Sequence, residues 1–111
     1  MPKYIVFFSY TPQAWARMIE QPGDRTAAVR ASAEAVGARL EGLYWMLGEH
    51  DGLVLVDAPD SETAAALSIT SSSSGAVARL ETHQLFDQDQ LHAVLGKAGG
   101  ARAVYRPPGE G

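Results

Sequence analysis

Two short stretches of the chain are apolar at every position: Tyr4-Ile5-Val6-Phe7-Phe8 and Leu53-Val54-Leu55-Val56. Both are rich in the β-branched and aromatic residues that favour strands. Side chains alternate between the two faces of a sheet, so a strand with one wet face alternates apolar and polar residues. These strands do not alternate. Whatever sheet they build must be covered on both faces.

The segments around them supply the other elements. Residues 3–10 read as a strand that gives way to a helix at Thr11-Pro12, where threonine can cap and proline suits the first helical position. That helix carries Trp15, Met18 and Ile19 on one face and is interrupted at Gln21-Pro22-Gly23. Asp24 can cap a second segment with Val29, Ala33 and Val36 at helical spacing, and Gly37 ends it. Residues 39–47 and 53–58 read as a hairpin around Gly48-Glu49-His50-Asp51-Gly52. Pro59-Asp60 launches a helix of mostly small residues that Gly75 ends after four serines, and residues 77–86 give a fourth strand. Asp87, with Gln90 three positions on, has the pattern of a capping box and opens a last helix with Leu91, Val94, Leu95 and Ala98 as its stripe.

This order, β-α-β-β-α-β with an added C-terminal helix, predicts an α+β fold of ferredoxin-like topology, an antiparallel sheet with helices on one face. Residues 1–98 form the single domain in this reading, and 99–111 a tail of partly extended character after Gly99-Gly100. One chain has helices for only one sheet face. The second face is therefore predicted to meet another copy, as a homodimer or a multiple of one, in the manner of two sheets closing a dimeric α/β barrel.

Composition excludes several classes. With 111 residues, 46% of them apolar and 20% charged, the chain suits one globular core. The net charge is −4 and the nine basic residues are scattered, which argues against nucleic acid as a partner. Cysteine is absent, so disulfides, thiolate metal sites and cysteine nucleophiles are out. No apolar run approaches the roughly 20 residues that cross a bilayer, and no basic segment followed by an apolar one opens the chain. The expectation is a cytoplasmic protein with no membrane partner.

The hairpin and its flanks, Tyr44-Trp45-Met46-Leu47-Gly48-Glu49-His50-Asp51, the apolar strand after it, and Asp57-Ala58-Pro59-Asp60, resemble the GYD-domain family. Tyr4-Ile5 through Tyr10-Thr11 fits the same pattern, so the resemblance spans about residues 2–86. Gly48 and Asp51 match the Gly-x-Tyr-Asp hairpin that names the family, while His50 stands where the family has tyrosine. The resemblance implies a small ferredoxin-like protein related in architecture to dimeric α/β-barrel proteins, among them cofactor-free monooxygenases and isomerases. It therefore implies a ligand cavity and no cofactor. Function does not follow from fold, and a role of the family's tyrosine does not pass to His50.

Candidate chemistry is sparse. His50 and Asp51, beside Glu49, could pair an imidazole with a carboxylate as a general base, or Asp51 could simply satisfy backbone amides in a turn. The face of Tyr4, Val6, Phe8 and Tyr10 is expected to be shared with Tyr44, Met46, Leu53, Leu55 and Asp57. Such a face, with His83 nearby, would offer a pocket for an aromatic or lipophilic small molecule, or else a filled core with Asp57 at the rim. His83, Asp87, Asp89 and His92 straddle a strand-to-helix junction, where helix capping suits them better than a metal. Trp15 is expected to anchor a core or an interface. Ser71–Ser74 lacks the spacing of a nucleophile elbow, and Gly96-Lys97-Ala98-Gly99-Gly100 follows a helix, unlike a phosphate-binding loop. Two readings remain: a homo-oligomeric small-molecule binder or cofactor-free enzyme, and a non-catalytic oligomerisation or regulatory module.

Overall fold

The structure, a computed structural model, describes residues 1–111. Its elements are β1 (Lys3–Tyr10), α1 (Pro12–Glu20), α2 (Arg25–Ala35), β2 (Arg39–Trp45), β3 (Gly52–Asp57), α3 (Ser61–Ser73), β4 (Val77–Leu85) and α4 (Gln88–Arg102). The four strands form one antiparallel sheet in the order β2-β3-β1-β4, which is the ferredoxin-like arrangement expected from the element order.

Local chemistry starts and stops the helices where the sequence places them. The side chains of Thr11, Asp24, Asp60 and Asp87 each accept from the backbone N–H three residues on, at 2.8 to 3.1 Å. Gln90 completes the capping box by accepting from the Asp87 amide at 2.8 Å. Gly37 and Gly75 follow α2 and α3 with φ of 79° and 80°, the left-handed conformation that glycine reaches without a Cβ penalty.

Register decides which side chains the helices cover. Tyr4 lies opposite Val56, Val6 opposite Val54 and Phe8 opposite Gly52, while Ile5 faces Leu55 and Phe7 faces Leu53. Even-numbered residues of β1 and β3 therefore share one face. There α2 packs chiefly on β2 and α3 on β4, over a core of Tyr4, Ala33, Ala38, Val56, Ala58 and Ala64. The alanines let helix and sheet backbones approach closely. In β2 the pairing shifts between Leu40 and Gly42, a bulge that sets both Leu40 and Leu43 on the helix side although they are three residues apart. Both are buried.

Two sequence expectations need correction here. The pocket face expected to join Tyr4, Val6, Phe8 and Tyr10 to Tyr44, Leu53, Leu55 and Asp57 is in fact two faces. Lys3 pairs with Asp57 and Tyr44 with Leu53, so Asp57, Leu55, Leu53 and Tyr44 lie with Ile5 and Phe7 on the face that no helix covers. Ile5, Phe7, Leu53 and Leu55 are half-buried there. The second correction concerns the tail, because α4 continues through Gly99 and Gly100 to Arg102 where extended chain was expected. Glycine costs a helix about 1 kcal/mol relative to alanine without forbidding it.

Almost all of α4 is exposed, including Leu91, Val94 and Leu95. It stands off the body, and the radius of gyration of 18.0 Å exceeds the ~13 Å of a compact chain of this length. No helix is long and apolar enough to cross a membrane.

Gly52 tests the register directly. A Cβ there would overlap the Phe8 ring and lie 2.7 Å from the Tyr44 carbonyl oxygen, which the sheet holds in place. Gly52→Ala is expected to cost about 1–3 kcal/mol through overpacking. The urea midpoint should fall at unchanged slope. A variant as stable as the parent would show that β1 and β3 pair differently.

Candidate functional site

Because α2 and α3 sit mainly over the edge strands, a cleft opens between them above β1 and β3. The face of α2 that borders it carries Arg25, Ala28, Val29, Ser32 and Ala33, one stripe at helical spacing. α3 contributes Ala64, Leu67, Ser68 and Ser71, and Val6, Leu40, Val54, Val56 and Leu80 form the floor. The cavity measures about 200 Å³. A second of about 80 Å³ shares Val6, Arg25, Val29, Val54, Ser71 and Leu80 with it and runs on to Phe8, Tyr10 and Leu43.

The cleft walls are less polar than their composition suggests. Ser68 and Ser71 donate to the carbonyls of Ala64 and Leu67, at 3.0 and 3.1 Å, and Thr70 donates to Ala66 at 2.8 Å. Such bonds to the preceding turn occupy the hydroxyl protons. Tyr10 closes the far end, edge-on to Phe8 and Trp15 with ring centroids 5.1 and 5.0 Å apart. Its hydroxyl oxygen accepts from Trp45 Nε1 at 3.3 Å.

The hairpin residues take other positions. Asp51 Oδ2 accepts from the Tyr10 amide at 2.9 Å and from Trp15 Nε1 at 3.2 Å, tying the hairpin to the end of β1 and to α1. Its own N–H donates to the Phe8 carbonyl, and its carbonyl accepts from Met46, both at 2.9 Å. His50 instead lies on the open sheet face, stacked on Phe7 with centroids 5.2 Å apart and its side chain 15% exposed. Its nearest carboxylate is Glu81, at 3.9 Å, and His83 approaches the same Glu81 at 3.5 Å. Glu49 pairs with Arg79. The expected partnership of His50 with Asp51 or Glu49 is therefore absent from the geometry, because consecutive residues of the tight turn project to different sides.

The other sequence candidates are dispersed. Tyr44 is exposed on the open face, its ring so close over Gly42 that an added Cβ would lie 2.7 Å from Cε2. Met46 borders a shallow hollow with Trp15, Trp45, Leu47, Gly48 and Asp51. Asp87 caps α4, and His92 lies 2.9 Å from Gln88 on the same helix. Of the residues expected to line a pocket, Val6, Phe8 and Tyr10 of β1 reach the cleft. Sequence reasoning missed Arg25 and Val29, whose signal was the spacing of the α2 stripe, and Leu67 of α3.

Asp57 is buried at the open face between two cations. Arg39 Nη2 donates to it at 2.9 Å and Lys3 Nζ at 3.2 Å, and Lys3 also bridges to Glu41. The Arg39 hydrogen bond, helped by Lys3, holds the Asp57 carboxyl below its usual value against the opposing push of burial. The network links β1, β2 and β3 at one end of the sheet.

Residues 4–95 match the sequence pattern of the GYD domain family. Among solved structures, TTHA0845 from Thermus thermophilus is similar, with 19% identity, 78% of this chain and 95% of that chain covered, and a TM-score of 0.52. At that identity the likeness shows the fold alone. Comparison with curated proteins gives no match.

Asp57 gives a pH-dependent test. A carboxyl depressed on folding contributes stability above its unfolded value of about 3.9, and that contribution disappears as pH falls through the lower folded value. The side chains of Arg39 and Lys3 are 70% and 40% exposed, so solvent screening limits the gain. Asp57→Asn is expected to cost about 1–2 kcal/mol at neutral pH. Urea unfolding should show parent and variant converging below pH ~4. An equal gap at pH 7 and 3 would contradict the ion-pair account.

Proposed function

We propose, for a chain that belongs to the GYD domain family, that it is a homo-oligomeric protein binding a small aromatic or lipophilic molecule in the cleft between α2 and α3. The observation that carries this is the cleft itself, about 200 Å³ of largely apolar lining that continues toward Tyr10. An apolar cavity of about 150 Å³ is enough to take up benzene, so one ring with a short substituent fits the larger chamber. Arg25 and Tyr10 are the only ionisable groups of the lining. With neither carboxylate nor imidazole within the cleft to move a proton, binding is better supported than cofactor-free catalysis.

The second sheet face supports the oligomer. Ile5, Phe7, Leu53 and Leu55 make an apolar centre, flanked by Lys3, Arg39, Glu41 and Asp57 on one side and by His50, Glu81 and His83 on the other. An apolar core inside a polar rim is the usual anatomy of an interface. A second sheet stacked at about 10 Å would cover it. The same face, with α4 exposed beside the body, is what favours the other reading, an oligomerisation module whose cleft stays empty.

Neutral one-ring probes such as toluene, benzyl alcohol and indole should raise the melting temperature by mass action. Val29→Phe, which fills the cleft from α2, should abolish that rise while leaving the fold intact by circular dichroism. No rise with any probe would leave the oligomerisation module standing in place of the binder. Light scattering at micromolar concentration should give twice the chain mass or a multiple of it, and a monomer would contradict the proposed role of the open face.

A further inference from the structure

We infer that the cleft selects a small organic anion, a carboxylate carried on an aromatic or short aliphatic body, and that Arg25 recognises its charge. This rests on the cleft being a ligand site and adds the class of ligand.

Arg25 is the only charged residue in the lining of either chamber, and it borders both. The ion pairs of the structure engage Lys3, Arg39, Arg79, His50 and His83, and none engages Arg25. The neighbouring acid, Asp24, is committed to the α2 cap through the Ala27 amide at 3.0 Å. Helix stability does not explain the residue either. Arg25 is the first residue of α2, the end at which the backbone dipole disfavours a cation.

What remains is a guanidinium with a fork of free donors at the border of an apolar cleft. That fork matches a carboxylate in two parallel hydrogen bonds. Ser32, two turns further along the same stripe, is the one hydroxyl on this wall, whereas Ser68, Thr70 and Ser71 of α3 already donate to their own helix. One cation suits one negative charge. A phosphate dianion would leave charge uncompensated beside the Val29, Val54 and Leu80 side chains. Arg25 is exposed, so water and salt temper the attraction, and the preference for the anion should be moderate.

Calorimetry with benzoate and its neutral isostere benzamide tests this at pH 7 and low salt. Benzoate should bind the parent about tenfold more tightly, with the difference shrinking as salt is raised. Arg25→Gln should lose the preference while holding benzamide as before, and Arg25→Lys should recover part of it. Equal affinities for the two probes in the parent would overturn the role of Arg25 and leave the cleft as a site for neutral ligands. Absence of binding by both, with the Val54 and Leu67 methyl resonances unmoved, would overturn the cleft reading and this inference together. The ratio measured in the parent decides the matter even if a variant folds poorly.

Discussion

β1 lies between β3 and β4 with five consecutive apolar side chains, and covering both sides of that strand is the constraint to which the rest of the structure responds. Alternation sends Tyr4, Val6 and Phe8 toward the helices and Ile5 and Phe7 away from them. On the helix side the response is a layer of alanines, Ala33 and Ala64 above the sheet and Ala38 and Ala58 at strand ends. Small residues bring the layers close, yet two helices placed over the edge strands cannot fill the middle. The cleft follows from that shortfall in volume. On the other side the apolar strip is left half-buried, and charged groups rather than helices occupy its borders.

The two sides are held in relation by the hairpin between β2 and β3. Asp51 draws the end of β1, Trp15 of α1 and the turn onto one carboxylate. His50, one residue earlier, lays an aromatic ring on Phe7 of the opposite face. The hairpin thus contributes an imidazole that packs. Asp57 performs a comparable service at the far end of β3, where its buried charge is tolerable because Arg39 and Lys3 surround it.

Element identity was legible in the sequence because its signals are local. A threonine or aspartate before a helix, a glutamine three residues on and a glycine after the last turn act through their nearest neighbours. Thr11, Asp24, Asp60, Asp87, Gly37 and Gly75 all serve as their residue types suggest. Register was not legible, because it depends on pairing between distant segments. The bulge in β2 breaks the even-odd rule, so Leu40 and Leu43 share a face although strict alternation would separate them. The pocket expected at one face drew residues from two because the β1–β3 pairing sets Tyr4 and Val6 opposite Val56 and Val54, leaving Leu53, Leu55 and Asp57 on the other side. His50 and Asp51 could be recognised as a turn, but the direction of each side chain depends on which sheet face lies beneath. Arg25 could have been found by reading the α2 stripe for its odd member, a cation at one end of a row of small and apolar residues.

The central claim is a division of labour: the helix-side cleft takes the ligand, and the open face takes none. Methyl NMR during titration with benzyl alcohol at constant protein concentration separates the two, because Val54 lies on one face while Leu53 and Leu55 lie on the other. The expected result is movement of Val29, Val54, Leu67 and Leu80 resonances with Ile5, Leu53 and Leu55 unchanged. Movement centred on Ile5, Leu53 and Leu55, with the cleft methyls still, would contradict it.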